Sequence, residues 1–152
     1  MAKLKVGDLA PDFQLLDDDG KQIQLSSYRA KNPVVLIFYP GDETPLCTAQ
    51  LCAARDSSAQ YQEAGAIVFG INGGNQNSHE KFSNKHNFTF PLLVDKGLEV
   101  AGRYDAVLGF GILKLVNRTV VVVNDEGKII FFKRGVPSTE EILAPLKKGV
   151  KS

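Results

Sequence analysis

Residues 34–52 read VVLIFYPGDETPLCTAQLC. The opening VVLIFY is β-branched, aromatic or aliphatic throughout, too short for a helix and apolar on both faces, which predicts a buried central strand. After the GDET turn, Pro45 suits the first turn of a helix with Thr44 as its N-cap. The segment stays helix-tolerant to about Ala64, where Gly65 closes it. The stretch therefore predicts strand, tight turn and helix, with Cys47 in the helix's first turn.

Upstream, FQLLD and KQIQL flank Asp18-Asp19-Gly20 and predict a β-hairpin. Downstream, AIVFGIN is a second buried strand, Asn75 to His86 is helical in composition and ends near Asn87, and PLLVD after Pro91 is a third strand. A short helix is expected from Leu98 to Tyr104, then a loop over residues 105–117 lying on the protein. TVVVVN and KIIFFKR flank Asp125-Glu126-Gly127 as a second, antiparallel hairpin. Ser138 with Glu141 three residues on forms a capping box for a last helix running towards Lys148. Strands alternating with helices and ending in an antiparallel pair predict an α/β fold: a mixed sheet covered on both faces, in one domain spanning residues 1–152.

The 152 residues carry 18 basic and 17 acidic side chains, a net charge of +1 with the signs interspersed, so neither a nucleic-acid footprint nor an acidic-partner surface is indicated. Lys147, Lys148 and Lys151 read as a solvated helix end. No apolar run reaches the roughly twenty residues that a membrane span needs, and MAKLKVGD has no apolar core of a signal peptide; the expected location is the cytoplasm. In a reducing compartment two cysteines are too few for a disulfide scaffold, and a thiol pair is more often catalytic, redox-sensing or metal-binding.

Cys47 lies just beyond the carboxyl end of a buried strand, the edge where open α/β sheets gather their chemistry. Free N–H groups and the positive end of the helix favour a thiolate over a thiol there. With the Thr44 hydroxyl they form a nucleophile in an anion-stabilising cradle. Asp42 and Glu43 oppose that effect if they point inward, and are expected to face solvent. Cys52 stands five positions on from Cys47. In an ideal helix, i and i+5 lie about 140° apart with Cα atoms roughly 8–9 Å apart, whereas a disulfide needs Cα atoms within about 7 Å. A bond between them requires the first turns of the helix to unwind.

Pro40, Thr44 and Cys47 stand in a P-x-x-x-T-x-x-C arrangement, and Cys47-Thr48-x-x-x-Cys52 is followed by Arg55-Asp56. With GDLAPDFQL, SHEKF, FPLLVD and NRTVVVVNDEGKI in the same order, the chain resembles the peroxiredoxins over almost its whole length, and within them the bacterioferritin-comigratory-protein or Q-type subgroup. The resemblance implies a thioredoxin-like fold and a peroxidase that needs no metal or organic cofactor. Cys47 would attack the hydroperoxide, Thr44 would hydrogen-bond peroxide and thiolate, and Pro40 would shield the sulfenate from water. Arg118 would hold the thiolate and polarise the peroxide, and Cys52 would resolve Cys47 sulfenic acid to an intramolecular disulfide. The implied partners are a hydroperoxide and thioredoxin or a related dithiol, and the implied state is a monomer. The chain departs from the family pattern at Gln50, where glutamate is common, and at Gly73-Gly74-Asn75, where a Ser/Asp pattern is common.

Two other functions fit a thiol pair. A thiol-disulfide oxidoreductase would need neither Thr44 nor Arg118, and a non-catalytic peroxide sensor would signal through its unwound helix. Arg55 is expected to pair with Asp56 or another carboxylate. His79 and His86 miss the usual zinc spacings and are assigned to a solvent-facing helix. G-I-N-G-G lacks the rest of a dinucleotide fingerprint and reads as a turn. Phe38, Phe88, Phe90 and Phe110 are assigned to the core, the last three also being candidates to line a substrate pocket.

Overall fold

Side-chain alternation along β3 (Val34–Phe38) organises the molecule, seen here as a computed structural model that describes residues 4–109 and 111–149. Val34, Leu36 and Phe38 enter one apolar cluster with Phe13, Phe69, Tyr104 and Val121. Val35, Ile37 and then Tyr39 enter the other, with Cys47, Leu51, Val120 and Val122. Both faces are covered, which is why the run reads as continuously apolar.

The predicted amino-terminal hairpin is present as β1 (Gln14–Leu16) and β2 (Gln22–Gln24). After β3 come α1 (Pro45–Asp56), α2 (Ser58–Glu63), β4 (Ile67–Asn72), α3 (Gln76–His86) and β5 (Leu92–Val94). Next are α4 (Glu99–Arg103), β6 (Val107–Leu108), β7 (Leu115–Val116), β8 (Thr119–Val123), β9 (Ile129–Arg134) and α5 (Thr139–Gly149). Seven strands form one sheet in the order β2-β1-β5-β4-β3-β8-β9. β3, β4 and β5 run parallel, and the two hairpins add antiparallel strands at the edges. This is the mixed α/β sheet expected. Leu51, Tyr61, Phe82, Ile142 and Leu146 cover one face from the helices, while Ala10, Phe13, Val100 and Ala101 cover the other.

Local chemistry sets the element ends. Ser138 N–H donates to Glu141 Oε1 at 3.0 Å and Glu141 N–H to Ser138 Oγ at 3.1 Å, the capping box read from sequence. Asn75 Oδ1 accepts from Ser78 N–H at 2.8 Å to start α3, and Asn87 ends it with φ 53°. The Asp95 carboxylate takes the N–H groups of Val100 and Ala101 at 3.0 and 2.8 Å and starts α4.

Two expectations are corrected. The helix expected to run unbroken to Ala64 is interrupted at Ser57, whose φ −100° and ψ 12° are not helical. Ser58 Oγ competes for backbone there, donating to Arg55 O at 2.7 Å, and Ser57 Oγ bonds the Thr139 hydroxyl at 3.0 Å. The expected loop over 105–117 contains β6 paired with β7, closed by a 3₁₀ turn at Gly111–Leu113. Two-residue strands are too short to show alternation, and Leu108, Ile112, Leu113 and Leu115 are exposed. Of the remaining residues singled out above, Lys147 is exposed, and Phe110, Lys151 and the side chain of Lys148 lie outside the described residues.

Gly70 in β4 makes the room that the site uses. A Cβ there would lie 2.7 Å from Leu92 Cδ2 and 3.2 Å from Tyr39 Cε1, so the bare backbone lets the Tyr39 ring lie across the sheet. Gly70→Ala is expected to lower stability by about 1–3 kcal/mol through overpacking. Urea unfolding measures it, and an unchanged midpoint would remove the close-packing argument.

Candidate active site

The register of the sheet builds the site. Phe38 in β3 pairs with Thr119 in β8, so Tyr39 and Arg118, one residue beyond each, come out at the same sheet edge. The chain leaves β3 through Tyr39, whose N–H donates to Ile71 O at 3.1 Å, and turns over residues 40–44 into α1. Glu43 in that turn has φ +64°, a left-handed conformation that costs a residue with a Cβ about 1–2 kcal/mol. Cys47, in the first turn of α1, is fully buried. Leu46 and Cys47 are among the first residues of α1, whose N–H groups have no partner within the helix and so serve as donors at the thiol's end.

Arg118 Nη2 donates to Cys47 Sγ at 3.2 Å, and Nη1 donates to Gln50 Oε1 at 2.8 Å. Gln50 lies three residues after Cys47 on the same helix face and is only 6 % exposed. Its carboxamide therefore orients the guanidinium while leaving the second arm of the fork on sulfur. A glutamine makes this contact without bringing a second charge beside the thiol.

The other predicted site residues are placed as follows. Pro40 is exposed at the bend, and Thr44 occupies the N-cap position without a side-chain cap bond. Thr44 Oγ1 donates instead to Gly41 O at 3.3 Å, and no bond joins it to Cys47. Cys52 is half-buried, and both thiols are free. Arg55 pairs with Asp56 at 3.0 Å as expected, and also donates to His86 O at 2.6 Å. Phe38, Phe88 and Phe90 pack in the core clusters, with Phe88 stacked on Phe90 at 5.4 Å. Phe90 also lines a groove of about 420 Å³ with Ala54, Ser58 and Tyr61, on the flank of α1 away from the thiol end. A second cavity of about 230 Å³, lined by Gln50, Ala53 and Ile142, leaves the middle of α1 lightly packed on its other flank.

Two expectations fail here. Asp42 does not face solvent: its side chain is 5 % exposed and bonded to His79 Nδ1 at 2.7 Å. It also accepts from Tyr39 OH at 2.8 Å and Ser78 OH at 2.6 Å. Burial by itself raises the Asp42 carboxyl, but the bonds from His79, Ser78 and Tyr39 more than offset it and hold it below the ordinary carboxylate value. Burial first, and then the Asp42 charge, push the Tyr39 phenol well above its ordinary value, so it stays a donor. His79 is likewise not on a solvent face; it is fully buried, while His86 is partly exposed. The signal was available, since His79, Phe82 and Ser83 are spaced as one buried stripe of α3. Glu43 is exposed, as expected, and faces Lys85 at 3.4 Å.

The sequence profile of the AhpC/TSA family matches residues 6–132. The chain belongs to that family. Peroxiredoxin Bcp of Bacillus subtilis is 34 % identical over 148 residues, covering 95 % of this chain and 94 % of that protein. The chloroplastic peroxiredoxin Q of Triticum aestivum is 50 % identical over 98 residues, covering 64 % of this chain and 45 % of the relative. The match thus spans about half the length of the plant relative. Among solved structures, peroxidoxin BcpB of Mycobacterium tuberculosis superposes with a TM-score of 0.90 at 32 % identity, covering 97 % of this chain and 99 % of that one. These neighbours bear out the thioredoxin-like peroxiredoxin fold and the Bcp and Q-type resemblance read from the motifs.

Proposed function

We propose that this chain is a thiol peroxidase that reduces hydrogen peroxide and small organic hydroperoxides through Cys47. The observation that carries the reading is the Arg118 guanidinium donating to the buried Cys47 sulfur while Gln50 holds its other arm. The Cys47 thiolate attacks the outer peroxide oxygen, the O–O bond breaks, and its electron pair leaves on the inner oxygen, which takes a proton to become water or an alcohol. Sulfur is oxidised to the sulfenic acid as the peroxide is reduced. Charge grows on the leaving oxygen during that displacement, and a fixed cation with aligned N–H donors stabilises it more than the ground state. Thr44 is assigned to the incoming peroxide and Pro40 to screening the nucleophile from bulk water.

Cys52 is assigned as the resolving thiol. Its sulfur displaces hydroxide from the Cys47 sulfenic acid, and the hydroxide leaves as water with the thiol proton. The intact α1 keeps the two sulfurs from bonding, and the cavities beside Ala53 and Ala54 support the unwinding that the bond needs. Thioredoxin or a related dithiol then reduces the disulfide by exchange. We assign the chain as a monomer working in a reducing compartment such as the cytoplasm; no helix among the described residues is long and apolar enough to cross a membrane.

The test is reductant consumption in the presence of peroxide and a thioredoxin system. Turnover far beyond the protein's own thiol content supports the peroxidase, whereas consumption limited to those thiols sinks it in favour of a sensor. Disulfide reduction without peroxide turnover would favour the oxidoreductase. Cys52→Ser is expected to consume about one equivalent of peroxide and then stall or overoxidise to the sulfinic acid. Mass analysis after a single equivalent checks this, and the absence of a Cys47–Cys52 bond in the oxidised wild type would withdraw the resolving role.

A further inference from the structure

The turn that delivers Cys47 is fastened to α3 by a buried hydrogen-bonded pair. Asp42 Oδ2 meets His79 Nδ1 at 2.7 Å, and His79 Nε2 meets Leu93 O in β5 at 2.9 Å. A backbone carbonyl only accepts, so Nε2 donates to Leu93 O, and one proton lies between Nδ1 and Asp42 Oδ2, whose oxygen also accepts from Ser78. Tyr39 OH closes the network from the end of β3. Phe82, on the same stripe of α3 as His79, is buried in the core, so the contact ties residues 40–44 to the sheet and not to a loose helix.

Two more observations point the same way. Glu43, the next residue, has φ +64°, and such strain persists only where surrounding structure holds it. Gly74, just after β4, lies directly against the pair. A Cβ on Gly74 would sit 3.1 Å from Asp42 Oδ2, from His79 Cε1 and from Asn72 Oδ1. The glycine makes the space that the pair fills.

We propose that Asp42 and His79 are positioning residues forming a latch, which holds the strained 40–44 turn and the first turn of α1 closed over the thiol, and whose release favours the opening in which Cys47 meets Cys52. The latch rests on the peroxidase reading for its role but not for its existence. It touches neither sulfur nor peroxide; it sets how often α1 opens. A tighter latch favours peroxide reduction in the closed site, and a looser one favours condensation of the sulfenic acid with Cys52, which releases water and needs no further oxidant.

The experiment is site-resolved hydrogen exchange on the reduced protein, read by mass spectrometry, for wild type, Asp42→Asn, His79→Gln and Gly74→Ala. Peptides covering residues 40–52 are expected to exchange at least about tenfold faster in the variants, with β3 and β8 peptides unchanged. Because a tenfold rise in a minor open state leaves most molecules closed, the same variants are expected to keep kcat/KM for hydrogen peroxide within about twofold, while Cys47–Cys52 disulfide formation in a single turnover speeds up about tenfold. Unchanged exchange in 40–52, equal acceleration across the strands, or an unchanged rate of disulfide formation would overturn the latch. Gly74→Ala removes no charge, so it carries the test if the Asp42 or His79 variants do not fold. Exchange needs no peroxide: local acceleration in a protein that never turns over peroxide would leave the latch standing and remove the peroxidase.

Discussion

Cys47→Ser is expected to abolish peroxide reduction, with kcat/KM falling at least about 10⁴-fold, because a serine hydroxyl is not ionised near neutral pH and attacks the O–O bond poorly. The substitution exchanges one buried atom for a slightly smaller one at a fully buried position, and Arg118 can still donate to an oxygen there, so the fold is retained. Circular dichroism and a peroxide-coupled assay together separate lost chemistry from lost structure. A folded variant with near-normal turnover would show that another group is the nucleophile. Cys52 is the only other cysteine in the chain, so the alternatives are narrow.

Arg118→Ala carries the second large effect, an expected loss of about 10²–10³-fold in kcat/KM, the range seen when one aligned donor to a developing anion is removed. The same change leaves the Gln50 carboxamide, 6 % exposed, without the donor it now accepts from. It should therefore also lower stability by about 1–3 kcal/mol. Arg118→Lys is expected to recover little of the rate, since one ammonium cannot reach two acceptors with the fixed geometry of the guanidinium fork. Single-turnover reaction with hydrogen peroxide measures the chemical step directly. A rate within a few-fold of wild type in Arg118→Ala would reduce the arginine to a structural role.

Much of the fold was legible because its signals are local. The apolar run of β3, the hairpin turns at Asp18-Asp19-Gly20 and Asp125-Glu126-Gly127, and the Ser138–Glu141 capping box each depend on residues a few positions apart. The break at Ser57 was hidden because its hydroxyl is satisfied by Thr139, 82 residues away in sequence. The β6–β7 hairpin was hidden for a different reason, its strands being too short to carry a period.

The site divides in the same way. Sequence alone determined that a cysteine opens a helix at the end of a buried strand, that a second cysteine stands at a spacing no intact helix can bridge, and that Pro40, Thr44 and Arg118 fall in a known order around it. Only the tertiary structure decided which groups meet. It brought Arg118 to Cys47 across 71 positions through the pairing of β3 with β8, and made Gln50 the brace of that arginine. It also turned Asp42 and His79, both assigned to solvent, into a buried pair beside Gly74. The physical reason is that a carboxylate in a turn carries no periodicity to mark its burial, and the stripe of α3 that marks His79 does not name its partner. Whether Asp42 faces water or a histidine depends on a partner 37 positions away and on the space a glycine leaves for both.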